Sequence, residues 1–225
     1  MERLFDIFFS TLALMLLSPL LIPIVFILRL TGEGEIFFLQ NRVGRGGKTF
    51  KLYKFATMLK DSPNIGTGTI TVKNDPRVLP IGKFLRKTKI NELPQLLNIL
   101  FGSMSIIGPR PLTNQTFNSY QYSVQKEIKK VRPGLSGIGS IIFRDEESIM
   151  DGQPDPVNFY KNVIAKYKGE LEEWHVANKS LYIYFLLIIL TIYVVIFPSS
   201  KIVWKVFDNL PKPPDELFKS IKYID

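Results

Sequence analysis

The chain has 225 residues, length enough for one principal domain with an appendage and too short for a multi-domain assembly. It has no cysteine and one histidine, His175, which excludes a disulfide framework, thiolate metal sites, a cysteine nucleophile and any multi-histidine site. With 29 basic against 20 acidic residues the formal charge is +9, which favours an anionic partner: nucleic acid, phospholipid headgroups or phosphorylated metabolites.

Residues 7–28 carry no charge, and roughly 22 residues at about 1.5 Å each match the hydrocarbon thickness of a bilayer. This is a membrane-embedded segment. It is too long for the apolar region of a cleaved signal peptide, and no small-x-small cleavage site follows it. Ser18-Pro19 at its midpoint and Pro23 one turn later predict a bend, because each proline removes a helical hydrogen bond, and Ser18 is placed to bond a freed carbonyl. A bent helix either spans or turns back through the leaflet it entered. Arg42, Arg45, Lys48, Lys51, Lys54 and Lys60 follow with no acidic residue among them, marking the next stretch as cytoplasmic.

Residues 36–43 and 49–55 are rich in β-branched and aromatic residues and are joined by Gly44-Arg45-Gly46-Gly47-Lys48, which predicts a β-hairpin. Gly47-Lys48-Thr49 is not a nucleotide loop, since that pattern needs glycine where Arg42 stands. Residues 61–80 read as a loop in which Asp75 of Asp75-Pro76-Arg77 starts a turn. Residues 91–102 have helical grammar: Asn91 as N-cap, Glu92 and Pro94 in the first turn, Gly102 as terminator. Such a helix start attracts phosphate, and Arg86, Lys87 and Lys89 lie just upstream. Gly108-Pro109-Arg110-Pro111 is a rigid turn presenting one guanidinium, whose planar fork suits a phosphate. Residues 181–198 form a second uncharged run, at the lower limit for spanning and flanked by lysines on both sides. The expectation is a helix lying on the membrane or packed on the domain. The tail, through residues 216–224, reads as a short surface-seeking helix.

These segments contain an ordered series of motifs: Ser18-Pro19, Gln40-Asn41-Arg42-Val43-Gly44, Tyr53-Lys54-Phe55, Asp75-Pro76-Arg77, Phe84-Leu85-Arg86-Lys87-Thr88, Glu92-Leu93-Pro94-Gln95-Leu96, Met104-Ser105-Ile106-Ile107-Gly108-Pro109-Arg110-Pro111 and Arg132-Pro133-Gly134-Leu135-Ser136-Gly137. In that order, over residues 2–147, the chain resembles the bacterial sugar transferases, small monotopic phosphoglycosyl transferases that initiate surface glycan assembly. The resemblance implies transfer of sugar 1-phosphate from a nucleoside diphosphate sugar, usually UDP-linked, to polyprenyl phosphate, releasing UMP. It also implies Mg²⁺ and action at the cytoplasmic face of the bacterial inner membrane. The fold expected is membrane-associated α/β: a re-entrant helix broken at Ser18 and Pro19 over residues 1–30, a small mixed catalytic domain with the β-hairpin over 31–180, an apolar interfacial or membrane helix over 181–198 and an amphipathic tail over 199–225.

In that family an Asp-Glu dyad precedes Leu-Pro-Gln, and its aspartate attacks the β-phosphate. Here Asn91 stands at the aspartate position, and a carboxamide is a poor nucleophile and a weak hard-cation ligand. Three consequences are open: Glu92 or an acid of Asp145-Glu146-Glu147 takes the nucleophilic role, the lipid phosphate attacks the donor directly, or the protein is a catalytically silent membrane scaffold. Ala56 and Ser140 are smaller departures, at positions where the family often has arginine and glutamine. The expected roles are therefore Glu92, with Asn91, at the catalytic position, Lys54, Arg86, Arg110 and Arg144 on substrate phosphates, and Glu92 with Asp145 on the metal. His175 beside Trp174 is read as a packed or surface residue and not as a catalyst. A nucleic-acid partner is not expected, because the basic residues adjoin apolar segments and no nucleic-acid fold signature is present. The sequence does not set the oligomeric state or the sugar.

Overall fold

The computed structural model describes residues 1–64, 75–150 and 153–221. Residues 65–74 of the expected loop and 222–225 of the tail lie outside these. The architecture is mixed α/β, with one long N-terminal helix and two small two-stranded sheets. The chain divides into two compact units. The first comprises Arg3–Asn41 and Lys51–Gly102, the second Met1–Glu2, Arg42–Phe50 and Ser103–Asp225.

In the first unit α1 runs from Glu2 to Leu30 with Pro19 and Pro23 inside it. Pro19 has no N–H to give the Met15 carbonyl four residues back, and Ser18 Oγ donates to that oxygen instead at 2.8 Å. The side chain thus satisfies the carbonyl the proline leaves unpaired. Among the described residues α1 is the one helix long and apolar enough to cross a membrane, and most of its apolar side chains are exposed, Phe8, Met15, Leu16 and Phe26 among them. Both of its ends are held by this same unit. At the start, Arg3 donates to Ile99 O and, at 2.7 Å, to Leu100 O. At the end, Ile24 and Leu28 pack with Phe55 and Leu85 in a buried cluster.

β1 (Phe37–Val43) and β2 (Thr49–Phe55) form the expected hairpin, closed by Gly44 N–H donating to Lys48 O at 2.8 Å. α2 (Pro80–Lys87) starts with proline at its first position, where no N–H is needed. Asp75 does start a turn, accepting from Arg77 N–H at 3.0 Å, and it also pairs bidentately with the buried Arg77 guanidinium at 2.8 and 2.5 Å. The region around Asn91 differs from the sequence expectation. Lys89 adopts a left-handed φ of 60°, Ile90–Glu92 is a 3₁₀ turn, and α3 begins only at Gln95 and ends at Phe101. Asn91 is therefore inside a turn and caps nothing. Gly102, at φ 88°, terminates the helix as expected, a backbone state that favours glycine.

In the second unit β3 (Ser105–Ile107) pairs in parallel with β4 (Gly134–Ser136), Ser105 opposite Gly134 and Ile107 opposite Ser136. The glycines make this approach possible: a Cβ on Gly134 would lie 2.1 Å from Gly108 N, and one on Gly137 2.3 Å from Gly108 O. Around this pair lie α4 (Asn114–Phe117), α5 (Tyr122–Ile128), α6 (Ile138–Ile142), α7 (Glu146–Met150), α8 (Pro156–Phe159), α9 (Ala165–Ala177), α10 (Leu181–Ile196) and α11 (Ile202–Val206). A buried cluster of Leu112, Phe117, Tyr120, Val124, Ile128 and Ala165 joins α4, α5 and α9. Ser180 caps α10, accepting from Ile183 N–H at 3.2 Å. That helix buries Tyr184, Leu187, Leu190 and Val194 and leaves Tyr182, Ile189, Ile192, Val195 and Ile196 exposed. In the tail, Leu217 and Ile221 are buried.

Candidate active site

The first unit brings Lys54, Arg86, Asn91 and Glu92 into one body. Asn98 of α3 ties that helix to β2: its Oδ1 accepts from Tyr53 N–H at 2.9 Å and its Nδ2 donates to Lys51 O at 2.8 Å. The tie fixes the strand against the segment that leads into α3, and Lys54 Nζ then meets Glu92 Oε1 at 2.8 Å. Both side chains are about four-fifths buried, so the pair is far less screened than a surface ion pair and each charge needs the other. Beside Glu92, Asn91 is buried, and its Oδ1 has no hydrogen-bond partner. A buried amide oxygen without a donor costs on the order of 1–3 kcal/mol, and such an atom is accounted for if a donor or a cation meets it when the site is filled. Arg86, in the last turn of α2, sets its guanidinium 3.7 Å from Met58 Sδ.

The second unit carries Arg110, Arg144 and Asp145. The turn bearing Arg110 is held from several directions. Arg42 donates to Pro111 O at 3.0 Å, Val43 N–H to Leu112 O at 2.9 Å, Gly134 N–H to Pro109 O at 2.8 Å and Gly108 N–H to Ser136 O at 2.9 Å. Arg110 lines a shallow pocket with Gly44, Phe117 and Lys129, and the Lys129 ammonium sits 4.9 Å over the Phe117 ring. Arg144 donates to Val194 O at 2.6 Å, one of the last carbonyls of α10, so its guanidinium holds a helix end. Asp145 is exposed and lies just before α7, with Ser148 Oγ donating to its carboxylate at 2.9 Å. Glu146 pairs with Lys168 at 2.6 Å. Among the described residues no three His, Asp or Glu side chains converge as a metal cage.

Sequence reasoning passed over Arg42, Asn98 and Glu172. Arg42 and Asn98 brace the Arg110 turn and the Lys54 strand. Glu172 is 3% exposed, and burial raises its carboxyl from 4.5 to about 7 against the opposing pull of the Arg110 N–H, Lys168 and Arg110. His175 is buried. Its ring nitrogens have no hydrogen-bond partner, and burial, with Lys179 adding repulsion, lowers its pKa to about 4.

These features define a mixed α/β protein with a basic, carboxylate-containing site and a long apolar helix in the same unit. The chain belongs to the bacterial sugar transferase family, whose profile matches residues 1–198. It is 40% identical over 144 residues to the UDP-glucose:undecaprenyl-phosphate glucose-1-phosphate transferase of Klebsiella pneumoniae, covering 62% of this chain and 30% of that protein. It is 35% identical over 161 residues to an exopolysaccharide production protein of Sinorhizobium fredii, covering 65% and 71%. To the Escherichia coli UDP-glucose:undecaprenyl-phosphate glucose-1-phosphate transferase it is 36% identical over 170 residues, covering 74% and 36%. The chain thus spans about a third of the two named transferases.

Proposed function

We propose that this chain transfers sugar 1-phosphate from a nucleoside diphosphate sugar, UDP-linked, to polyprenyl phosphate, giving polyprenyl-diphosphate-sugar and UMP. The observation that carries the reading is the family match over residues 1–198 together with the Lys54–Glu92 pair, set in the unit that also bears α1. A polyprenyl phosphate presents its reacting group at headgroup depth, so the catalyst has to be held there. Two contacts support a re-entrant α1 turning at Ser18 and Pro19: Arg3 on the α3 carbonyls and Leu28 against Phe55 keep both helix ends on one unit, hence on one side of the bilayer. The exposed apolar face of α10 supports a second, interfacial contact with lipid. The basic run from Arg42 to Lys60 supports the cytosolic face of the inner membrane.

In the proposed reaction the Glu92 carboxylate, paired with Lys54, attacks the β-phosphorus of the donor. The bond from that phosphorus to the bridging oxygen breaks, UMP leaves, and a phosphosugar acyl phosphate, a mixed anhydride of Glu92, forms. A polyprenyl phosphate oxygen then attacks the same phosphorus and restores the carboxylate. Lys54 and Arg86 hold phosphate oxygens and stabilise charge moving onto the leaving nucleotide, and Arg110 in its own unit is read as a ligand of substrate phosphate. Mg²⁺ is held in sites of this kind by one or two carboxylates plus substrate phosphates. The residues present fit it: Glu92 supplies a carboxylate, and the unpartnered Asn91 Oδ1 beside it offers a further, weaker oxygen ligand. When bound, the metal would neutralise diphosphate charge.

The test is nucleoside monophosphate release by nanodisc-held full chain given Mg²⁺, undecaprenyl phosphate and a panel of UDP-sugars. Intact mass with donor alone should show an added phosphosugar that Glu92→Gln abolishes, while turnover without an adduct would assign direct attack by the lipid phosphate. Silence across the panel would favour a second reading, a non-catalytic membrane scaffold, which the replacement at Asn91 motivates.

A further inference from the structure

Behind the Gly108-Pro109-Arg110-Pro111 turn lies a buried carboxylate that no motif of the chain accounts for. Glu172 projects from α9 across α6 at Gly139, where a Cβ would come within 2.6 Å of its Oε1. The same Oε1 accepts from the Arg110 backbone N–H at 3.4 Å, across 62 residues of sequence. Its Oε2 is buried and has no hydrogen-bond partner. A carboxylate is costly to bury, and this one lies against the open face of Gly139. Arg42, Val43, Gly134 and Ser136 hold the turn through Pro111, Leu112, Pro109 and Gly108, and Glu172 takes the peptide N–H of Arg110 itself.

We propose that Glu172 is the positioning residue of Arg110: its carboxylate anchors the Arg110 peptide and so fixes the direction in which the guanidinium meets the donor diphosphate. The inference rests on the reading of Arg110 as a phosphate ligand. The groups facing Glu172 are Arg110 from the turn, Lys168 one turn earlier on α9, Tyr120 from the segment before α5 and His175 one turn later. Tyr160 and Glu146 complete the surroundings, the first bonded to Tyr120 and the second paired with Lys168. Tyr120 and Tyr160 are both raised above 10 by burial and stay neutral, His175 is lowered to about 4, and Lys168 is paired with Glu146. Glu172 is therefore the group in this cluster that changes charge near pH 7. A charge-assisted hydrogen bond is roughly twice as strong as a neutral one, so the anchor tightens as Glu172 ionises.

The experiment is equilibrium binding of UDP-glucose and UDP-N-acetylgalactosamine to the detergent-solubilised full chain between pH 6 and 8. The diphosphate of these probes keeps one charge state over that range. Wild type should bind about five-fold tighter at pH 8 than at pH 6. Glu172→Gln, which keeps the shape and a neutral acceptor, should be flat across the range at the wild-type pH 6 level, and Glu172→Asp should restore part of the pH dependence. Arg110→Ala should bind weakly at every pH. A purely structural Glu172 would lower the melting temperature of Glu172→Gln and leave the pH dependence of binding in place. That result, or Glu172→Gln binding as tightly as wild type at pH 8, overturns the proposal while an effect of Arg110→Ala preserves the phosphate reading. If neither probe binds, or if Arg110→Ala binds like wild type, both fall.

Discussion

Glu172 and His175 lie one turn apart on α9, both buried, and their titrations oppose each other. Burial lowers His175 from 6.5 to about 4, so the folded state resists its protonation: its contribution to stability is complete above pH 6.5 and is lost as pH falls toward 4. Burial raises Glu172 from 4.5 to about 7, so its contribution is complete below pH 4.5 and is lost as pH rises through 7. Each displacement is about 2.5 on the pH scale and amounts to roughly 3 kcal/mol at about 1.4 kcal/mol per decade. Between pH 4.5 and 6.5 the two slopes cancel, and wild type shows neither. His175→Phe removes one, so its stability relative to wild type should increase toward acid. Glu172→Gln removes the other, so its stability relative to wild type should increase toward neutral pH. With about 2–4 °C per kcal/mol for a chain of this size, each variant should diverge from wild type by roughly 6–12 °C in melting temperature across its window. The assay is thermal unfolding of the detergent-solubilised full chain at pH 4.5, 5.5 and 6.5, where the other titrating groups are common to all three proteins. Differences that stay constant with pH would refute the reasoning, since they would mean that neither group is desolvated.

Three further outcomes are expected. Lys54→Met should strand the Glu92 charge, lowering stability by about 1–3 kcal/mol in thermal unfolding and reducing transfer at least ten-fold, and Lys54→Met/Glu92→Gln should recover the stability but not the activity. Gly134→Ala drives a methyl into Gly108 N and should cost upwards of about 2 kcal/mol, read as loss of folded yield or melting temperature. Ser18→Ala leaves the Met15 carbonyl without its donor, and a labelled residue near each end of α1 should then lose same-side accessibility in a fraction of molecules, whereas unchanged labelling would deny Ser18 any part in the bend.

The sequence by itself determined what depends on local pattern. A charge-free run of bilayer length gave α1, strand-forming residues around a glycine turn gave the hairpin, and Gly102 ended α3 because a left-handed backbone state is open to glycine at little cost. The ordered motifs carried the family resemblance, and with it the residues Lys54, Arg86, Glu92 and Arg110. Their partners were settled by tertiary structure. Asn91 has the local grammar of an N-cap, yet the left-handed Lys89 and the 3₁₀ turn after it place it in the interior with an unpartnered oxygen. Arg144 reads as a phosphate ligand from its charge, and the structure gives one of its guanidinium nitrogens a carbonyl fifty residues away. Glu172 has the look of any acid on a helix of mixed charge, and it lies buried against Gly139 on α6 and a turn far upstream. Periodicity and capping act over a few residues and are written in the neighbours of each position. The desolvation that sets Glu172 and His175, and the pairing that fixes Lys54, arise from segments distant in the chain, so they exist only once the backbone has closed around them.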